Sequence, residues 1–286
     1  MQYKNSYVYY TNNITVMSDS ETENLATVCK TFTTQETLHP TLEQKIFIFY
    51  HIFCSPDSTK IVIMQQQIDR IIFSGLYDVV DTIYCFLVGD NVAAIQQNAQ
   101  VLEHTGTKFT VVYPSLGANY EKYTLQKIRQ YISHADVFLY IHTKGISHAL
   151  HSQIYKNIHD WRTLLEYHLI RSFRVCIKKI LRENFDTVGV NFSESPAPHY
   201  SGNMWWCSGR YFLSLPVEIG DDYFAPEFYV LSPRAAAKPP TSEMAASPPV
   251  RHCNMFSSGI NHYISNYPTE KYINGSREPN NISDAK

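Results

Sequence analysis

None of the six cysteines in this 286-residue chain belongs to a CxxC pair; Cys29, Cys54, Cys85, Cys176, Cys207 and Cys253 are scattered. That excludes a zinc knuckle or a redox dithiol, and most of them sit in apolar runs as expected buried free thiols. Charge is not dominated by one sign either. The net charge of −2 comes with no dense basic stripe, which excludes an extended nucleic-acid groove. No apolar run approaches the roughly 20 residues needed to cross a bilayer. The polar start, including "TNNITVMSDSETEN", lacks the apolar core of a secretory signal, so a cytoplasmic protein is expected. Also missing are G-x-G-x-x-G after the first strand, G-x-x-x-x-G-K-[ST], G-x-S-x-G and D-x-D. The usual phosphate-binding devices of dinucleotide oxidoreductases and P-loop NTPases are therefore absent, as is the serine hydrolase elbow.

What remains is an apolar share of 44% and a charged share of 17%, enough for a substantial core, with 21 tyrosines and the adjacent pair Trp205 and Trp206. Residues 1–42 read as a polar N-terminal arm. "KIFIFYHIF" (Lys45–Phe53), "TIYCFLVGD" (Thr82–Asp90), "FTVVYP" (Phe109–Pro114), "DVFLYIH" (Asp136–His142) and "DTVGVNF" (Asp186–Phe192) read as strands. Helical spacing lies between them: around Ile61–Ile72, Val92–His104, Tyr120–Ile132 and, as one long helix, Gln153–Arg182. Alternating strand and helix predicts an α/β fold with a mostly parallel central sheet flanked by helices. Residues 43–273 make that domain. The Pro/Ala/Ser-rich stretch 232–249 reads as an exposed insertion and 274–286 as a disordered tail.

In open α/β sheets ligands sit at the carboxyl ends of strands. "DVFLYIHTKGISH" there ends an oily strand in His142, Thr143, Lys144 and Gly145. Lys144 and His142 could hold a diphosphate by charge and hydrogen bonds; the plain alternative is a polar strand end with a surface lysine. A metal site of His142, His148 and His151 lacks the usual spacing and is not expected. "HYSGNMWWCSGRY" combines Ser201, Gly202 and Asn203 with paired indoles, which suits sugar hydroxyls and C–H faces. Along a strand the indoles point to opposite sides, so one at most would face a site, and a core pair beside a tight turn is the alternative. Glu227, among Phe224, Pro226, Phe228 and Tyr229, is a candidate proton acceptor or simply a helix N-terminal acid after Pro226.

Taken in order, "IFIFYHIFC", "IIFSGLYDVVDTIYCFLVGD", "FLYIHTKGISH", "DWRTLLEYHLI", "VGVNF" and "HYSGNMWWCSGRYFLSLP…EFYVL" resemble a family of glycosyltransferases with a GT-A-like (Rossmann-like) nucleotide-sugar fold, met in microbes and large DNA viruses. The resemblance covers Lys45 to Leu231, with "INHY" (Ile260–Tyr263) trailing, and its specific parts are HTKG and HYSGNxWW. It implies a donor site at Tyr50, His51, His142, Thr143 and Lys144, with acceptor contacts from Ser201, Asn203 and Trp205 or Trp206. It also implies Glu227 as catalytic base. His142, Thr143 and Lys144 stand where such enzymes carry D-x-D, so no cofactor is expected and a bound divalent ion is not required. The implied partners are a nucleotide-sugar donor and a glycan, protein or small-molecule acceptor, with no nucleic acid and no membrane span. A catalytically silent carbohydrate-binding or scaffold protein on the same sheet is the alternative.

Overall fold

A computed structural model describes residues 44–113, 120–232 and 249–273. The arm at 1–42, the tail at 274–286 and all but the two end residues of the 232–249 insertion lie outside the described residues. Strands β1 (Ile46–Phe53), β2 (Thr82–Val88), β3 (Phe109–Val112) and β4 (Val137–His142) alternate with helices α1 (Ile61–Phe73), α2 (Val92–Thr105) and α3 (Glu121–Ile128). Then follow α4 (Gln153–Glu166), a π-helical turn (Tyr167–Arg171), α5 (Phe173–Leu181), β5 (Thr187–Gly189) and the small antiparallel pair β6 (Phe192–Ser193) and β7 (His199–Tyr200). The chain closes with β8 (Trp205–Ser208), α6 (Gly209–Ser214), α7 (Ala225–Tyr229), β9 (His252–Asn254) and α8 (Glu270–Ile273).

The main sheet has seven strands in the order β3-β2-β1-β4-β8-β5-β9. Every pairing within it is parallel except those of β8, which runs against both β4 and β5. This is the expected α/β architecture with a mostly parallel sheet flanked by helices. Three expectations need correction. The long helix at 153–182 is two helices, because a π-helical turn inserts at Tyr167. The fifth strand stops at Gly189, short of Phe192. Short β9 lacks an apolar run and escaped notice.

Strand alternation divides the core into two layers. Ile48, Tyr50 and Ile52 of β1, with Leu139 and Ile141 of β4, face α1, α4 and α5. Phe47 and Phe49, with Phe138 and Tyr140, face α3 and α6. Covering both faces makes the central strands continuously apolar. Cys54, Cys85, Cys176 and Cys207 are buried free thiols within these layers.

Candidate active site

The carboxyl ends of β1 and β4 are held together. Thr143 N–H donates to the His51 carbonyl at 3.1 Å, and Phe53 N–H donates to Thr143 Oγ1 at 3.0 Å. Continuing the alternation of β4, His142 points to the same side as Tyr140, toward the first residue of α3, Glu121. Glu121 is a hub that sequence reasoning missed. Its Oε2 accepts from the Tyr140 hydroxyl at 2.8 Å and from Asn203 Nδ2 at 2.5 Å, and its Oε1 lies 3.5 Å from His142 Nδ1. Burial alone would push Glu121 up, but His142, His51, the Tyr140 hydroxyl and Lys144 outweigh it, and its carboxyl lies below the ordinary glutamate value.

The opposite nitrogen fixes the His142 tautomer. His142 Nε2 is 2.9 Å from the Gly202 carbonyl, which can only accept, so Nε2 carries a proton and Nδ1 turns to Glu121. Burial lowers the His142 pKa, Glu121 opposes that, and Lys144 adds to it. The ring is thus a proton-accepting group held beside a carboxylate. Gly202 also donates its N–H to Glu227 Oε1 at 3.3 Å, so one residue links the histidine to the second acid. Gly202 takes φ +98°, and a Cβ there would come within 2.7 Å of Leu165 Cδ1 and 3.2 Å of the Trp161 ring.

Lys144 lies half-buried, with Nζ 3.7 Å from the centre of the Trp161 ring. Burial pushes its amine down to about 8, against the opposing pull of Glu227 and then Glu121. Its carbonyl accepts from Arg162 Nη1 at 2.9 Å, which fixes the turn from beneath. Gly145 completes that turn with φ +92° against Ile158. Trp161 itself stacks on His262 at 4.9 Å and meets Tyr263 edge-on. Farther out, Lys60 and Lys144 both depress His148, whose burial is the larger cause, so a second cation borders this edge. The carboxyl edge therefore carries two cations, Lys60 and Lys144, and two acids, Glu121 and Glu227.

The structure brings His142, Lys144, Asn203 and Glu227 together, with Glu227 half-buried in the first turn of α7 behind Pro226. Other candidates need correction. Tyr50 is fully buried and donates its hydroxyl to Gln67 Oε1 at 2.7 Å on the α1 face, so it offers no surface to a donor. Trp205 and Trp206 do point to opposite sides, but both sides are core, and each is fully buried. Their N–H groups donate to Asn203 Oδ1 and the Leu169 carbonyl, both at 2.8 Å. The core alternative is the outcome for this pair.

His51 is buried against Thr124 at 2.8 Å and pushed down to about 4 by burial, with Glu121 opposing and His142 reinforcing, so it is neutral near pH 7. Thr143 is buried as the clamp between β1 and β4. Asn203 spends its carbonyl on Trp205 and an amide hydrogen on Glu121, which makes it a holder of the acid. Ser201 is half-buried in the turn beside it. Among the described residues no three His, Cys, Asp or Glu side chains form a group able to hold a metal ion, and no helix is long and apolar enough to cross a membrane.

Among solved structures, the chain is similar to the mannosyltransferase PcManGT from Pyrobaculum calidifontis in complex with GDP-Man and Mn2+, at 9% identity and a TM-score of 0.41. That match covers 82% of this chain and 63% of the mannosyltransferase, so the chain spans less than two thirds of that protein's length. It is also similar to a 4-diphosphocytidyl-2C-methyl-D-erythritol synthase from Anaerococcus prevotii, at 11% identity and a TM-score of 0.35, covering 81% of this chain and 94% of that one. No curated protein matches the sequence. Residues 49–216, from the middle of β1 through α6, match a domain of unknown function, and the chain belongs to that family, DUF8361.

Proposed function

We propose that this chain is a glycosyltransferase that moves a sugar from a nucleotide-sugar donor to an acceptor hydroxyl. The observation that carries the reading is the mixed charge of the carboxyl edge. The half-buried amine of Lys144 acts with a second cation, Lys60, on His148 and feels the two acids Glu121 and Glu227. An anionic donor is placed at the amine, which meets the diphosphate. The acceptor is placed at Glu227, whose carboxylate takes its proton.

In the step itself the acceptor oxygen bonds to the anomeric carbon as the bond from that carbon to the diphosphate oxygen breaks. The nucleoside diphosphate leaves with the bonding electrons, neutralised by Lys144, and the hydroxyl proton passes to Glu227. Glu227 is reachable, being half-buried with one oxygen held by Gly202. Glu121 is the wrong carboxylate for this task because Tyr140, Asn203 and His142 already engage it. It holds His142 and balances Lys144 instead. A poised base is worth about 10²–10⁴ in rate. The amine takes the place of a D-x-D-bound ion, so transfer is expected to survive a chelator.

The test is a screen of nucleotide-sugars scored by nucleotide release, run with and without EDTA and followed by calorimetry. Tight nucleotide binding with slow donor hydrolysis supports the enzyme. Glycan binding with no affinity for any nucleotide replaces it with a binding module. Activity lost to EDTA and restored by Mn²⁺ removes Lys144 from the place of the ion.

A further inference from the structure

A cavity of about 560 Å³ lies between the C-terminal half of α1, the junction of α4 with the π-helical turn, and α8. Its charged lining residues are Arg70, Glu166 and Arg171. Glu166 is buried and is shared by two guanidiniums: Arg70 in direct contact through Nη1, and Arg162, whose Nε lies 3.6 Å away and which is itself fully buried. One carboxylate therefore answers two buried or half-buried cations, and Arg171 adds a third positive charge at the rim. Burial and then the charge of Arg162 push Arg70 down to about 10, with Tyr272 opposing. An uncompensated buried charge is costly, and an anion from solution relieves that cost.

The rest of the lining says what kind of anion. Arg70 is aimed by Thr163, whose hydroxyl accepts from Nη2 at 3.2 Å. Arg171 sits over the Tyr167 ring at 5.4 Å, and Tyr272 is 5.1 Å from the same ring. The cavity thus joins guanidiniums from two different elements, beside a pair of rings that touch each other. Among its lining residues Arg70 and Arg171 outnumber Glu166, and Arg162 adds a buried positive charge behind that carboxylate. A phosphomonoester carries about −1.5 to −2 at pH 7 and suits that excess, and the cavity has room for a small organic body.

We propose that this cavity is a binding site for a small soluble phosphomonoester, separate from the carboxyl-edge site. Arg70 and Arg171 hold the phosphate, the organic body occupies the rest of the cavity, and Glu166 competes with the ligand for Arg70. The site communicates with the edge through one side chain, because Arg162 faces Glu166 with Nε and holds the Lys144 carbonyl with Nη1.

Phenyl phosphate is the probe, titrated into the full chain by calorimetry and by thermal unfolding. Saturation is expected to raise the unfolding midpoint by a few degrees. Arg171→Ala, at an exposed position, is expected to abolish that rise, and Lys144→Ala to leave it intact. Glu166→Gln, which removes the competitor, is expected to tighten binding by about tenfold. If that variant does not fold, Arg171→Glu serves as the second test, with the rise again lost. The proposal is overturned if wild-type protein does not respond. It is equally overturned if the response survives Arg171→Ala or disappears in Lys144→Ala, which would put the phosphate at the carboxyl edge.

Discussion

The two clusters of buried charge in this protein are built in opposite senses. At the carboxyl edge two carboxylates, Glu121 and Glu227, face one amine, Lys144. On the helical face two guanidiniums, Arg70 and Arg162, share one carboxylate, Glu166. Each imbalance describes what is missing. In the proposed readings the acid-rich cluster takes up a proton from a hydroxyl, and the base-rich cluster takes up an anion. The first also keeps its reactive groups apart, since Glu121 is tied into a hydrogen-bonded hub while Glu227 and Lys144 stay half-buried. Arg162 belongs to both neighbourhoods, touching the HTKG turn and Glu166 alike.

The sharpest way to break this contrast is at the edge. Glu227→Gln and Lys144→Ala are each expected to lower sugar transfer by about 10²–10⁴, with circular dichroism and thermal midpoint near wild type. Full turnover in either variant removes that residue from the chemistry. Next in size is Arg162→Met. It strips a donor from the Lys144 carbonyl and a partner from Glu166, so a loss of about 3 kcal/mol is expected in urea unfolding. A change below the error of that measurement would show that the two clusters are not mechanically joined.

The pH dependence sharpens the comparison further. Only the ammonium form of Lys144 can hold a diphosphate, and that form is lost as pH rises through about 8. Above that point kcat/KM is expected to fall about tenfold per pH unit, whereas phenyl phosphate binding at the guanidiniums persists. A flat rate profile to pH 9.5 contradicts the role of the amine. The smallest effect is expected from Asn203→Ala, which removes one of two donors to Glu121 Oε2 and the acceptor of the Trp205 N–H, and costs roughly 1.5 kcal/mol of stability with only a modest loss of rate.

The sheet was legible because its strands are covered on both faces and so appear as unbroken apolar runs between helical periods. That same covering misled the reading of the tryptophans. Alternation sent them to opposite sides, as expected, but with helices on both sides neither direction leads to solvent. HTKG was legible as a polar strand end, and Glu227 as an acid among apolar neighbours. Glu121 was not, because it opens a helix like many other acids and its partners Tyr140, His142 and Asn203 come from distant segments. One available signal was the period of two along β4, which puts Tyr140 and His142 on the same face and calls for a polar partner there. The π-helical turn left no mark, since the apolar spacing runs through it without a break.

The reversed strand Trp205–Ser208 carries a consequence for synthesis. It fills the gap between Val137–His142 and Thr187–Gly189, so those strands cannot meet their neighbour until the ribosome has passed residue 208. Throughout that interval "VFLYIH" has one bare rim, an oily ribbon open to any other nascent chain. Truncation before the tryptophan pair therefore leaves a half-sheet with a sticky border, and a cell making this protein has reason to shield it until the last central piece slides into place.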